Sequence, residues 1–186
     1  MTTNATDRHS TAPAASAPGA DAHPHAHDRL PVHEPRMAWA KVAPDIYQAM
    51  FGLEQAVRRG IDPVLYELVK IRASQINHCA VCLDMHTKDA LAAGESVERI
   101  IQLSAWEESR HFYSAKEMAA FELTEAVTVL TDGFVPDEVY ERAAAHFDET
   151  ELAYLISAIT VINAWNRFGV STRTPAGYYA PRTAKN

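Results

Sequence analysis

Cysteine is nearly absent from this chain: of 186 residues only Cys79 and Cys82 are cysteine, three positions apart. So few exclude a framework of structural disulfides. A bridge between these two closes so short a loop that it removes little entropy from the unfolded chain. Redox chemistry or metal binding is a better reason for the pair than stability. Positive charge is also in short supply. A formal net charge of −7 argues against a general electrostatic grip on nucleic acid or anionic membrane. No run approaches the roughly 20 apolar residues a membrane span needs, and the first 30 residues lack the apolar stretch of a secretory leader. These absences predict a cytoplasmic protein with neither nucleic-acid nor membrane partners. In that reducing compartment a structural bridge is hard to maintain. Strand-like alternation and hairpin signals are missing too, which disfavours a thioredoxin-type βαβ unit.

What remains is helical. Residues 1–33 are rich in Ala, Thr, Ser, Pro and His and read as a disordered tail, because they cannot bury enough surface to offset their ordering entropy. His23, His25, His27 and His33 in that tail are either metal ligands or incidental. From Ala43 the apolar residues Ile46, Met50, Leu53 and Val57 recur at helical spacing. Asp62 then Pro63 reads as an N-cap and first helical residue, opening a helix that runs to Asn77. Asn77 is the expected N-cap of the next helix, which carries Cys79, Cys82, Met85 and His86 and stops at Gly94. Ser96 caps a short helix. Ser114 with Glu117, and Asp148 with Glu151, have capping-box spacing. Between them Pro136 opens a helix to about Phe147. The last helix, almost wholly apolar from Leu152 to Phe168 and ending at Gly169, must be buried on most sides, within the domain or at a subunit interface. Trp106 and Trp165 are expected in the core. The fold class is all-α, a bundle of about six to seven helices, with residues 173–186 as a surface tail.

The segment from Glu67 to His86 carries the chemistry. With Asn77 as cap, Cys79 and Cys82 fall in the first turns of a helix, where unpaired N–H groups and the helix dipole favour a thiolate. His86 follows Cys82 by four residues, so both project from one face with Cβ atoms roughly 5–6 Å apart, within reach for proton transfer. A Cys79–Cys82 bridge asks for a slightly closer approach, about 3.5–4.5 Å between Cβ atoms, which a first turn can supply. Glu67 precedes Cys79 by twelve residues, about 18 Å along a straight helix. Only a chain break near Asn77 lets it return over His86 and orient the imidazole. Alternatively Glu67 is an exposed glutamate pairing with Lys70. The main alternative for the cysteines is zinc, held by Cys79, Cys82 and His86 with a recruited His78 or His111.

At these residues the sequence resembles the AhpD-like alkylhydroperoxidases of the carboxymuconolactone decarboxylase family. The resemblance rests on Glu67, Cys79-x-x-Cys82 and His86, on the flanking segments 67–77 and 84–94, and on blocks beginning at Leu123, Val135 and Ile162. It covers roughly residues 37–172. It implies an all-α fold, a homo-oligomer (trimer or hexamer), and thiol peroxidase activity without metal, haem or flavin. It further implies that Cys82 attacks the peroxide, Cys79 resolves, and His86 with Glu67 relays protons; the spacing alone already singles out Cys82 as the cysteine one turn from the histidine. The partners would be an organic hydroperoxide, with hydrogen peroxide a poorer substrate, and an unidentified thiol or dithiol reductant. The best-studied members carry tyrosine between the cysteines where this chain has Val81, so one hydroxyl of the relay is absent. Two other readings stay open: a redox-sensing or zinc-binding oligomer without turnover, and a lactone decarboxylase of the same family.

Overall fold

Asp62 accepts hydrogen bonds from the N–H groups of Val64 and Leu65, both at 3.0 Å, and Pro63 follows with its φ already set for a helix. In the computed structural model, which describes residues 30–181, this start opens the central helix of the fold. The element order is α1 (Trp39–Val42), α2 (Pro44–Arg58), α3 (Pro63–Ile76), α4 (Ala80–Ala92), α5 (Val97–Gln102), α6 (Ala115–Thr128), α7 (Asp137–Ala144) and α8 (Glu149–Ser171), with single 3-10 turns at Leu103–Ala105 and Arg110–Phe112. There is no strand among the described residues. The expected helices are all present as α2–α8, and α1 is a single added turn. Both capping boxes form as spaced: Ser114 with Glu117 opens α6, and Asp148 with Glu151 opens α8. The helical body runs from His33. Residues Leu30–Val32 before it have no regular secondary structure. His23, His25 and His27 lie outside the described residues, whereas the His33 imidazole donates to the Arg173 carbonyl at 3.1 Å.

Helix α3 is the axle of the bundle. Leu65, Tyr66, Leu68, Val69, Ile71 and Ala73 are all buried, and α4, α6 and α8 pack around them. Trp106 closes one end of this core with its Nε1–H on Glu125 Oε1 at 2.7 Å. Trp165 is only half-buried. It meets Trp39 and Tyr47 at centroid distances of 5.8 and 5.6 Å, while Trp39 stacks on Phe168 at 3.9 Å. This aromatic seam on α8 decides which way α2 faces. Tyr47, Glu54 and Val57 turn inward, leaving Ile46 and Leu53 half exposed at 50% and 49%. Of the spaced apolar residues Ile46, Met50, Leu53 and Val57 only Val57 is buried; the rest of the inward face is taken by Tyr47 and the partly buried Glu54. No helix among the described residues is long and apolar enough to cross a membrane.

Candidate redox site

The turn between α3 and α4 is built differently from the expected Asn77 cap. Asn77 keeps helical backbone angles, and its N–H still bonds to the Ala73 carbonyl at 3.0 Å, so it ends α3. Its side-chain amide lies 3.0 Å from the Ala73 carbonyl and 2.9 Å from both Asn163 Oδ1 and Asn166 Oδ1. Asn166 in turn donates to Ser74 Oγ at 3.0 Å. The amide thus fastens the turn to α8 and is not free to cap α4. His78 then takes a left-handed φ of 54°, and Cys79 enters α4 as its N-cap in extended conformation. The break falls two residues later than the spacing indicated.

As a result Cys79 is the N-cap and Cys82 the third residue of α4. The first helical bond runs from the Leu83 N–H to the Cys79 carbonyl at 2.9 Å. The preceding N–H groups have no acceptor within the helix, and no side chain caps them. Negative charge on either sulfur is favoured at this end of the dipole. The two cysteines form a disulfide with a Cα–Cα distance of 5.3 Å, well inside the usual range. Cys79 is 1% exposed and Cys82 6%.

Sequence reading took Gly169 for the end of the last helix, but α8 continues to Ser171. The glycine serves another purpose: a Cβ there would lie 2.9 Å from Cys79 Sγ and 3.1 Å from Val81 Cγ1. Absence of a side chain lets the α8 backbone seal the disulfide from one side, with Val81 filling the remaining space. Gly169→Val should destabilise the fold by about 2 kcal/mol, because overpacking a close contact outweighs the gain in helix propensity. Chemical denaturation measures this; an unchanged midpoint would show that the turn yields freely.

Glu67 and His86 do come together. The imidazole Nδ1 lies 3.0 Å from Glu67 Oε2, and both residues are buried. Glu67 also pairs with Lys70, through Oε1 at 3.0 Å, so that alternative held as a contact, yet in the interior and not on an exposed face. Burial pushes the Glu67 carboxyl up, but the hydrogen bond from His86 and the charge of Lys70 together hold it below its ordinary value. Burial, aided by the charge of Lys70, holds His86 below its ordinary value against the hydrogen bond and charge of Glu67 and the charge of Glu54. The pair therefore rests as carboxylate and neutral imidazole. With Nδ1–H donated to Glu67, Nε2 keeps its lone pair on the α4 face that Cys82 shares one turn away.

Further groups surround this pair that spacing did not reveal. Lys70 also reaches Glu54 Oε1 at 3.3 Å and sits over the Tyr66 ring at 3.8 Å. Glu54 accepts from the Tyr66 hydroxyl at 2.6 Å and from Trp165 Nε1 at 3.1 Å. Burial and the Glu54 charge raise the Tyr66 hydroxyl far above its ordinary range, so it stays a donor. On the outer side, residues after α8 return along α4. The Gly177 N–H donates to Asp84 at 2.9 Å, Lys88 to the Tyr179 carbonyl at 2.9 Å, and the Tyr179 hydroxyl to Asp89 at 2.7 Å. Glu67, His86 and Asp89 bring one ligand-type atom each within 4.8 Å. Within this cluster Glu67 is already paired with Lys70 and with His86, so its carboxylate takes part in an ion-pair network. The paired sulfurs offer no thiolate to zinc in this state, and His78 and His111 are exposed.

Comparison with known proteins agrees with this architecture. The chain is 42% identical over 137 residues to the uncharacterized protein YdfG of Bacillus subtilis, covering 73% of this chain and 92% of that protein. It is 32% identical over 125 residues to the uncharacterized protein YnjA of Escherichia coli, covering 67% and 68% respectively. The crystal structure of ATU0492 from Agrobacterium tumefaciens, a protein of unknown function with a suggested role in antioxidant defence as an AhpD, superposes with a TM-score of 0.75. That match is 35% identical and covers 78% of this chain and all of the other. Residues 44–126, which hold α2 through most of α6 and every group of the redox site except those on α8 and beyond, match the carboxymuconolactone decarboxylase family pattern. By its sequence and its helical frame alike, the chain belongs to the carboxymuconolactone decarboxylase family.

Proposed function

We propose that this protein is a thiol-dependent peroxidase that reduces organic hydroperoxides, with Cys82 as the attacking and Cys79 as the resolving residue. The observation that carries this reading is the disulfide at the N-terminus of α4 with a buried His86–Glu67 pair one turn along the same helix. The suggested antioxidant role of the Agrobacterium relative points the same way. In the reduced protein, His86 Nε2 takes the Cys82 thiol proton, and the thiolate attacks the terminal peroxide oxygen. The O–O bond breaks, the proton passes to the departing alkoxide, and an alcohol leaves a sulfenic acid on Cys82. The Cys79 thiol then displaces that hydroxyl as water and forms the disulfide. An external thiol or dithiol, itself oxidised to a disulfide, restores both cysteines. Glu67 holds the imidazole in register and steadies its protonated form. The working form in this reading is a homo-oligomer, a trimer or hexamer, in the cytoplasm.

Single-turnover reduction of cumene hydroperoxide by the pre-reduced protein tests the proposal directly. Free thiols are counted before and after. Both thiols should disappear for each peroxide consumed. Thiols that survive while peroxide persists would refute the peroxidase reading; lactone decarboxylation that outlasts replacement of both cysteines by serine would refute it in favour of the family's other chemistry.

A further inference from the structure

Lys70 is 3% exposed, and a buried ammonium persists only where opposite charge and hydrogen-bond acceptors surround it. Here it lies between two carboxylates, Glu67 Oε1 at 3.0 Å and Glu54 Oε1 at 3.3 Å. Glu54 is anchored in its turn by Tyr66 and Trp165. A line of polar contacts thus runs from α2 to the redox helix: Glu54, Lys70, Glu67, His86. Packing alone does not call for it. A buried ion pair is commonly no more stabilising than apolar residues of the same volume, and the surrounding core is otherwise aliphatic and aromatic.

The charges on this line have a consequence for the imidazole. Two carboxylates against one ammonium leave the group with a single negative charge while His86 is neutral. Without the ammonium, a proton on His86 would answer two buried carboxylates, and the ring would hold it. We propose that Lys70, gripped by Glu54, is a positioning residue for His86: it keeps Glu67 as the carboxylate that accepts Nδ1–H, so that Nε2 remains the unprotonated nitrogen offered to Cys82. This rests on the reading that His86 serves Cys82 as a base. The groups facing His86 are Glu67 and Lys70 from α3, Glu54 from α2, and Cys82 and Asp89 from α4 itself, with Tyr179 behind Asp89. Helix α8 adds no charge here: Gly169 lies against Cys79, Val81 and Cys82, and Trp165 donates to Glu54, and neither residue titrates.

The test is a titration of the His86 ring in the oxidised protein by nitrogen-resolved NMR, with His86→Gln identifying its signals. The wild type should show neutral Nδ1–H imidazole at pH 7. Lys70→Met should raise the midpoint by about one pH unit, the shift expected when a nearby like charge is removed. Glu54→Gln, which keeps one oxygen as acceptor for either Tyr66 or Trp165 but removes the negative charge, should move it the opposite way. Lys70→Arg should restore the wild-type value. Should Lys70→Met alone fold poorly, the Lys70→Met/Glu54→Gln double variant removes both charges, and its midpoint should fall between those of the wild type and Lys70→Met. A purely structural role would lower stability without moving midpoints in opposite directions. Unshifted midpoints, or an Nε2–H tautomer in the wild type, would overturn the proposal. Because the titration needs no peroxide, a protein that shows these shifts yet consumes no hydroperoxide would defeat the peroxidase reading while leaving the Lys70 assignment standing.

Discussion

In the Cys82→Ser protein, consumption of cumene hydroperoxide should fall on the order of 10³-fold or more, the scale of loss when a nucleophile is removed outright. Cys79→Ser should behave differently. One equivalent of peroxide is still reduced, and the reaction halts at a sulfenic acid on Cys82 that a dimedone adduct reveals by mass spectrometry. The asymmetry follows from what each sulfur touches. Cys82 shares its helix face with His86, whereas Cys79 lies against the α8 backbone at Gly169 and is the less accessible of the two. Both sulfurs lie at the same helix end, so the dipole favours either thiolate; the histidine and the difference in exposure separate their proposed roles. Full first-turnover activity in Cys82→Ser with none in Cys79→Ser would reverse the assignment.

Glu67→Ala should be nearly as damaging, and in two ways at once. The substitution leaves the His86 Nδ1–H without its acceptor and Lys70 with Glu54 as its remaining carboxylate. Breaking a buried ionic set by removing one member costs about 3–5 kcal/mol, readable as a lowered denaturant midpoint. An imidazole free to turn or change tautomer should slow peroxide reduction by about 10²-fold or more. Glu67→Gln retains an oxygen toward the ring and should lose less stability. Since the folded carboxyl lies below its ordinary value, its contribution is complete only above that ordinary value, at about pH 5 and higher, and fades as pH falls through the folded value. The stability gap between wild type and Glu67→Gln should therefore narrow in acid. A gap that is constant from pH 7 to pH 3 would mean that the charge on Glu67 contributes nothing.

The helices and the neighbours Cys79, Cys82 and His86 were legible because their signals are local, whereas Glu67 rested on the family resemblance. Caps, prolines and apolar spacing act within one or two turns, and Cys82 and His86 are neighbours on any helix that contains both. What escaped depends on contacts across the chain. Asn77 looks like a cap by its residue type, yet its amide is engaged by Asn163 and Asn166, more than eighty residues away. Gly169 looks like a helix stop, yet it marks a close approach between α8 and a disulfide. Lys70 is on the correct helix for an ordinary i,i+3 partner of Glu67. That it is buried, and bridged to Glu54, depends on how α2 folds against α3 and α8. The inward face of α2 depends on distant residues for the same reason: its partner surface is aromatic and belongs to Trp39, Trp165 and Phe168.

The return of the chain along α4 bears on how this protein should be handled. Gly177 and Tyr179 are tied to Asp84, Lys88 and Asp89, and Asp89 stands beside the His86–Glu67 pair. A fluorophore or other bulky probe attached at position 177 or 179 would sit directly on those attachments. Its bulk would strain α4 from outside, so labels belong away from this returning segment, and rates from protein labelled there need an unlabelled control.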